Sequence, residues 1–190
     1  MNFQYREVNG KKVRGKAFEV IVHNFHYYLT KLIVYADGQI ACWGLMSFAE
    51  FKQKLYDDWI CLDMPDNSKL HISNLGQIEV KQLVPEKTKE DFIKEIEDTI
   101  LELNNKPNRI TKCINSFKSY LLDVSTSNFE ILKSQFEDLP SHQRVLFEIS
   151  DSKDPLLKLM QTKSSFTLEE RKMMLRDYFE NEWDECDFQG

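Results

Sequence analysis

Glycine is scarce: six residues in a chain of 190, none in a run that would cradle a phosphate. Nucleotide sites of the common kind need several glycines so that backbone amides can approach the ligand, so that chemistry recedes. The G-x-S-x-G elbow and the H-E-x-x-H zinc helix are also missing. No apolar stretch approaches the roughly 20 residues that cross a bilayer, and the opening MNFQYREVNGKKVRGK lacks the apolar segment of a secretory signal. A soluble, cytoplasmic protein with no membrane partner is the expectation. The four cysteines (Cys42, Cys61, Cys113, Cys186) are scattered, with no C-x-x-C pair and no histidines at zinc-ligand spacing. Reduced thiols, no metal and no cofactor are therefore expected.

Positive charge is in deficit too, with a formal net charge of −6. Nucleic-acid binding draws its affinity from lysines and arginines on phosphates, so nucleic acid is not an expected partner. The charge is unevenly placed. Residues 1–16 carry Arg6, Lys11, Lys12, Arg14 and Lys16 against one acid, whereas Asp177, Glu180, Glu182, Asp184, Glu185 and Asp187 crowd the other end. Such runs usually keep chain ends solvated; the sharper reading is an acidic docking surface for a basic partner.

What the chain has is apolar patterning, at 42% apolar residues, enough for one domain or two small ones. AFEVIVH (17–23) and LTKLIVYA (29–36) read as strands, and Asp37-Gly38 as a two-residue hairpin turn returning through QIACWG. Alternation then puts Ala41 and Trp43 on one face and Ile40 and Cys42 on the other. Ser47 with Glu50 forms a capping-box signature ahead of a short helix carrying Phe48, Phe51 and Leu55. WICLD, KLHISNL and QIEVKQL supply further strands. Beyond Pro85 the period changes from two to nearly four: Phe92, Ile96, Ile100 and Leu103 mark one helix, Ile110 to Leu121 a second, Phe129 to Leu139 a third, and Thr167 with Glu170 caps a last one. HQRVLFEIS and PLLKLMQ read as shorter helical pieces. The expected class is α+β: an N-terminal antiparallel sheet with one inserted helix over 1–84, then an all-helical part over 85–190.

Candidate chemistry is thin. His23 and His26 are the closest pair of potential metal ligands, yet lack a third at a recognisable spacing. Cys42 and Cys61 lie on expected strands and read as buried small hydrophobes. His142, near Arg144, Asp151, Lys153 and Asp154, would supply a general acid or base only if a carboxylate meets it, and His23 likewise. No catalytic residue is assigned. Aromatic residues are the richer signal: Phe25, Tyr27 and Tyr28 crowd the loop after the first strand, and Trp183 sits in EWDECD with Glu180, Glu182, Asp184 and Glu185. Aromatic side chains anchor interfaces because they bury much area with few rotatable bonds, and these eight residues are the candidate partner-binding set.

VYADGQIACWG, FKQKLYDDWI and the turn MPDN before HISNLG resemble a family of uncharacterised bacterial proteins marked by a D-G-x-I-x-C-W hairpin. The likeness covers about residues 17–82, with LPSHQR and DSKDP as an extension. It implies a turn, a core tryptophan at Trp43 and a second strand opening on Trp59, and it carries over no catalytic residue. Such proteins look like the small stand-alone partners found beside bacterial toxins, which implies an immunity or antitoxin-like role. The expected function is accordingly a non-catalytic interaction protein that neutralises a protein partner, such as a cationic toxin or enzyme, through an acidic and aromatic surface. The alternatives are a small hydrolytic enzyme using His142 or His23, or a small-ligand module.

Overall fold

The computed structural model describes residues 4–144, 156, 159, 160 and 166–179, with the side chains of 177 and 178 left aside. The chain is α+β and divides into two compact units, 1–106 and 107–190. Among the described residues no helix is long and apolar enough to cross a membrane.

The first unit is built on an eight-stranded sheet. In chain order it holds β1 (Gln4–Val8), β2 (Lys11–Asn24), β3 (His26–Tyr35), β4 (Ile40–Ala41), β5 (Leu45–Met46), α1 (Phe48–Tyr56), β6 (Ile60–Cys61), β7 (Ser68–Ile72), β8 (Gly76–Val80) and α2 (Lys89–Leu103). β2 and β3 form the long central hairpin, running in register from Gly15↔Tyr35 to Asn24↔His26. β1 and β6 join the free edge of β2, while β4 and β7 share the far edge of β3. All pairings are antiparallel except β3 with β7, where Tyr27, Tyr28 and Leu29 run parallel to Leu70, His71 and Ile72.

Two turns depart from the sequence reading. Asn9-Gly10, both at positive φ (51° and 75°), closes a two-residue hairpin that turns part of the basic head into β1. Asn-Gly between pairing strands is the strongest short hairpin signal, and here it was the informative one. At Asp37-Gly38 only Gly38 takes positive φ (81°), and the loop spans four residues between Tyr35 and Ile40. The return strand then stops at Ala41. Trp43 lies beyond it in a second turn, closed by the Cys42 N–H donating to the Gly44 carbonyl at 2.9 Å.

One sheet face, carrying Val20, Val22, Leu32, Val34 and Ile40, is covered by Phe51 and Leu55 of α1 and by Phe92, Ile93 and Ile96 of α2. The Ser47–Glu50 capping box opens α1, and Thr88 caps α2 by accepting from the Asp91 N–H at 3.0 Å. The change of period at Pro85 therefore marks the entry into a helix of the same unit, and the division falls at Lys106 instead of after residue 84. The apolar stripe of α2 is the lid of the sheet. Its C-terminus is tied down by β2: Arg14 Nε donates to the Leu103 carbonyl at 2.7 Å and a terminal nitrogen to Asn105 Oδ1 at 2.9 Å. A cation at a helix C-terminus also complements the helix dipole. With Arg6 paired to Asp37 and Lys16 3.6 Å from Glu102, three bases of the head serve the fold.

The second unit contains α3 (Arg109–Leu122), α4 (Thr126–Asp138) and α5 (Leu168–Phe179). Asn108 and Ser125 cap the first two, and Thr167 with Glu170 forms the reciprocal pair at the third. Cys113, Phe117, Leu121, Leu132, Leu139, Leu175 and Phe179 make its core, joined by Leu156 and Leu159. Most of HQRVLFEIS and PLLKLMQ lies outside the described residues.

Candidate functional site

Strand alternation decides which sequence-named residues meet. Phe25 forms the tip between β2 and β3 at φ 58° and is 94% exposed. Beyond it Tyr27 and Tyr28 point to opposite faces, so the three aromatics do not form a single cluster. Glu180, Glu182, Trp183, Asp184 and Glu185 lie outside the described residues.

On the helix-covered face, past the end of α1, Tyr28 organises an aromatic shelf. His71 of β7 stacks on it (centroids 5.1 Å, 26°), Trp43 meets it edge-on at 5.2 Å, and His26 approaches at 6.4 Å. Trp43 also contacts Trp59 edge-to-face at 6.0 Å, and its indole N–H donates to Thr30 Oγ1 at 3.2 Å. Lys54 caps the Trp59 ring at 3.6 Å. Expected as a core tryptophan, Trp43 is 52% exposed, while its neighbour Cys42 is buried. The cause is the turn: φ of 56° at Trp43 swings the indole out of the strand's alternation. The left-handed region is costly for a bulky residue, at roughly 1–2 kcal/mol. A groove of about 480 Å³ runs beside the shelf, lined by Tyr28, Thr30, Trp43, His71, Ser73 and Asn74.

On the other face His23 stacks flat on Tyr27 (4.5 Å, 14°) above a second groove of about 470 Å³, with Asp58, Cys61, Asp63 and Lys89 around it. A histidine, a thiol and two carboxylates thus share a crevice, which invites a catalytic reading. The electrostatics oppose a thiolate nucleophile. Burial first, then the Asp58 and Asp63 carboxylates, push the Cys61 thiol up to about 11, so it is protonated at neutral pH. Cys61 Sγ donates to the Asp58 carbonyl, and Lys89 is held on the Asp58 carboxylate at 2.5 Å, which raises its own pKa. The Tyr27 phenol is raised as well, by burial and then by the negative charge around it.

His142 of the second unit is half-buried after Pro140, with its Nδ1 unpartnered among the described residues. Asp151, Lys153 and Asp154 fall outside them. Burial raises the Cys42 and Cys113 thiols to about 11 as well.

The sequence pair His23 and His26 is split by the pleat. The imidazole that His26 does meet is His71, with ring centres 5.4 Å apart. No three His, Cys, Asp or Glu side chains group as a metal centre among the described residues. Sequence reading missed His71 because β7 reaches β3 through a parallel pairing that no local pattern announces. The missed Trp43 exposure had a signal in Trp43-Gly44, a glycine directly after the apolar run.

No curated protein and no solved structure matches the chain. One family model does, described as a domain of unknown function (DUF7638), over residues 3–107, a span that ends one residue past the first compact unit. The match takes in the sheet, its covering helices and both grooves, and with more than half its length aligned the chain belongs to the DUF7638 family.

Proposed function

We propose that the chain is a non-catalytic protein-interaction protein that captures a basic protein partner, in the manner of an immunity or antitoxin-like protein. The observation that carries this is the presentation of Phe25 and Trp43: two bulky aromatics exposed at 94% and 52%, each on a backbone in the left-handed region. Non-glycine residues held there cost free energy, and such strain concentrates at functional sites. Aromatics of this kind supply the anchors of an interface and slow its dissociation. The net charge of −6 supports a basic partner, since opposite charge speeds encounter. The protonated Cys61 thiol and the Lys89–Asp58 pairing favour this reading over thiol-based hydrolysis in the His23 groove.

Co-expression with the products of neighbouring genes is the test. A partner that co-purifies with the wild-type chain and binds the Phe25→Ala, Trp43→Ala double variant at least tenfold more weakly supports the proposal. Absence of any co-purifying product, or undiminished binding by a folded double variant, sinks it.

A further inference from the structure

We propose that His26 and His71 form a two-histidine binding site for a late first-row divalent cation such as Zn²⁺, on the rim of the aromatic shelf. The two residues are 45 positions apart, and the parallel pairing of β3 with β7, which sets Tyr28 opposite His71, brings them together. Their ring centres lie 5.4 Å apart. A metal bound at about 2.0–2.1 Å from one nitrogen of each ring sits roughly 3.2 Å from each ring centre, which at a tetrahedral angle separates the centres by about 5.2 Å. The observed spacing of the ring centres matches that of two ligated imidazoles.

Stacking holds the His71 ring in place on Tyr28, and the side-chain amide nitrogen of Gln77 lies 3.3 Å from its Nε2. A flip of that amide turns its oxygen to accept the Nε2–H, which leaves Nδ1 as the ligand. His26 is exposed and meets Tyr28 edge-on, free to turn toward the ion. Imidazole pairs suit zinc, copper and nickel over magnesium or calcium, which prefer oxygen. Two protein ligands leave two positions for water or for a side chain of a bound protein, one ligand fewer than an open zinc site usually has, so binding is weaker than at a four-ligand structural centre.

The inference is independent of the proposed function, and its test needs no partner. Zn²⁺ is titrated calorimetrically into the full chain at neutral pH, with Ni²⁺ and Mg²⁺ alongside. Zn²⁺ and Ni²⁺ should bind and Mg²⁺ should not. His26→Gln, at an exposed position where folding is not at stake, should weaken Zn²⁺ binding at least tenfold; His71→Gln should do the same; His23→Gln, on the opposite face, should leave it unchanged. Binding should also weaken at acidic pH, because a ligating imidazole must be neutral. Zn²⁺ affinity that is absent from the wild type, survives in the His26→Gln, His71→Gln double variant, or falls equally in His23→Gln overturns the proposal.

Discussion

Removing α2 from the sheet should abolish folding of the first unit, although Pro85 reads as a domain boundary. Phe92, Ile93, Ile96 and Leu103 are buried, Ile96 completely, and the first three lie on Val20, Val22, Leu32 and Val34. At about 2 kcal/mol for each fully buried side chain, these four supply on the order of 8 kcal/mol. That is comparable to the entire stability of a domain, roughly 5–15 kcal/mol. A fragment of residues 1–84 should therefore be unfolded, whereas residues 1–106 should unfold cooperatively. Within 1–106, Ile96→Ala should cost about 3 kcal/mol and, with a urea slope near 1.5 kcal/mol/M, lower the midpoint by about 2 M. Urea titrations followed by circular dichroism and tryptophan fluorescence read both results. A cooperative transition in 1–84 with the midpoint of 1–106 would refute the assignment of α2 to the sheet core.

Gly15→Ala should destabilise the first unit by about 1–3 kcal/mol in the same titration, because its Cβ would stand 2.9 Å from the Val34 carbonyl oxygen and 2.8 Å from the Tyr35 ring; a neutral result would mean the central hairpin can spread there. Trp43→Gly relieves the left-handed backbone but gives up the edge-on contacts with Tyr28 and Trp59 and the bond to Thr30, so stability should fall by only about 1–2 kcal/mol while partner binding weakens; a loss above about 3 kcal/mol would show that the indole serves the core instead. Cys42, Cys61 and Cys113 should react with a thiol reagent at pH 7 only after unfolding. Their folded pKa values stand near 11 against 9.0 unperturbed, so the folded state holds these protons more tightly: stability is full below about pH 9 and falls as pH rises toward 11. Denaturation midpoints that stay level from pH 8 to pH 11 would contradict this.

Helix starts were legible because their chemistry is local. Ser47 with Glu50, Thr88 with Asp91 and Thr167 with Glu170 act within one turn, and all three caps are formed. The α+β class followed from the change of period, which is also local. What sequence could not reach was long-range: α2 answers an apolar sheet face that begins some 70 residues earlier, and His71 meets His26 through a parallel pairing. Alternation was applied one residue too far at Trp43, since a strand was assumed to continue where the Cys42–Gly44 turn ends it. The same alternation, applied at Tyr27 and Tyr28, separates them onto two faces, a division legible in the sequence itself.

β3 serves two masters along its outer edge, β4 near its end and β7 near its beginning. The first alliance closes a short loop; the second must wait for the chain from Tyr35 to Ser68 to come round. Connections of such span assemble late because their closure entropy is met before any reward arrives. The shelf that unites Tyr28 with His71 thus depends on a pairing between distant parts of the chain, and amide exchange along Leu70 to Ile72 offers a gauge of whether that pairing has closed.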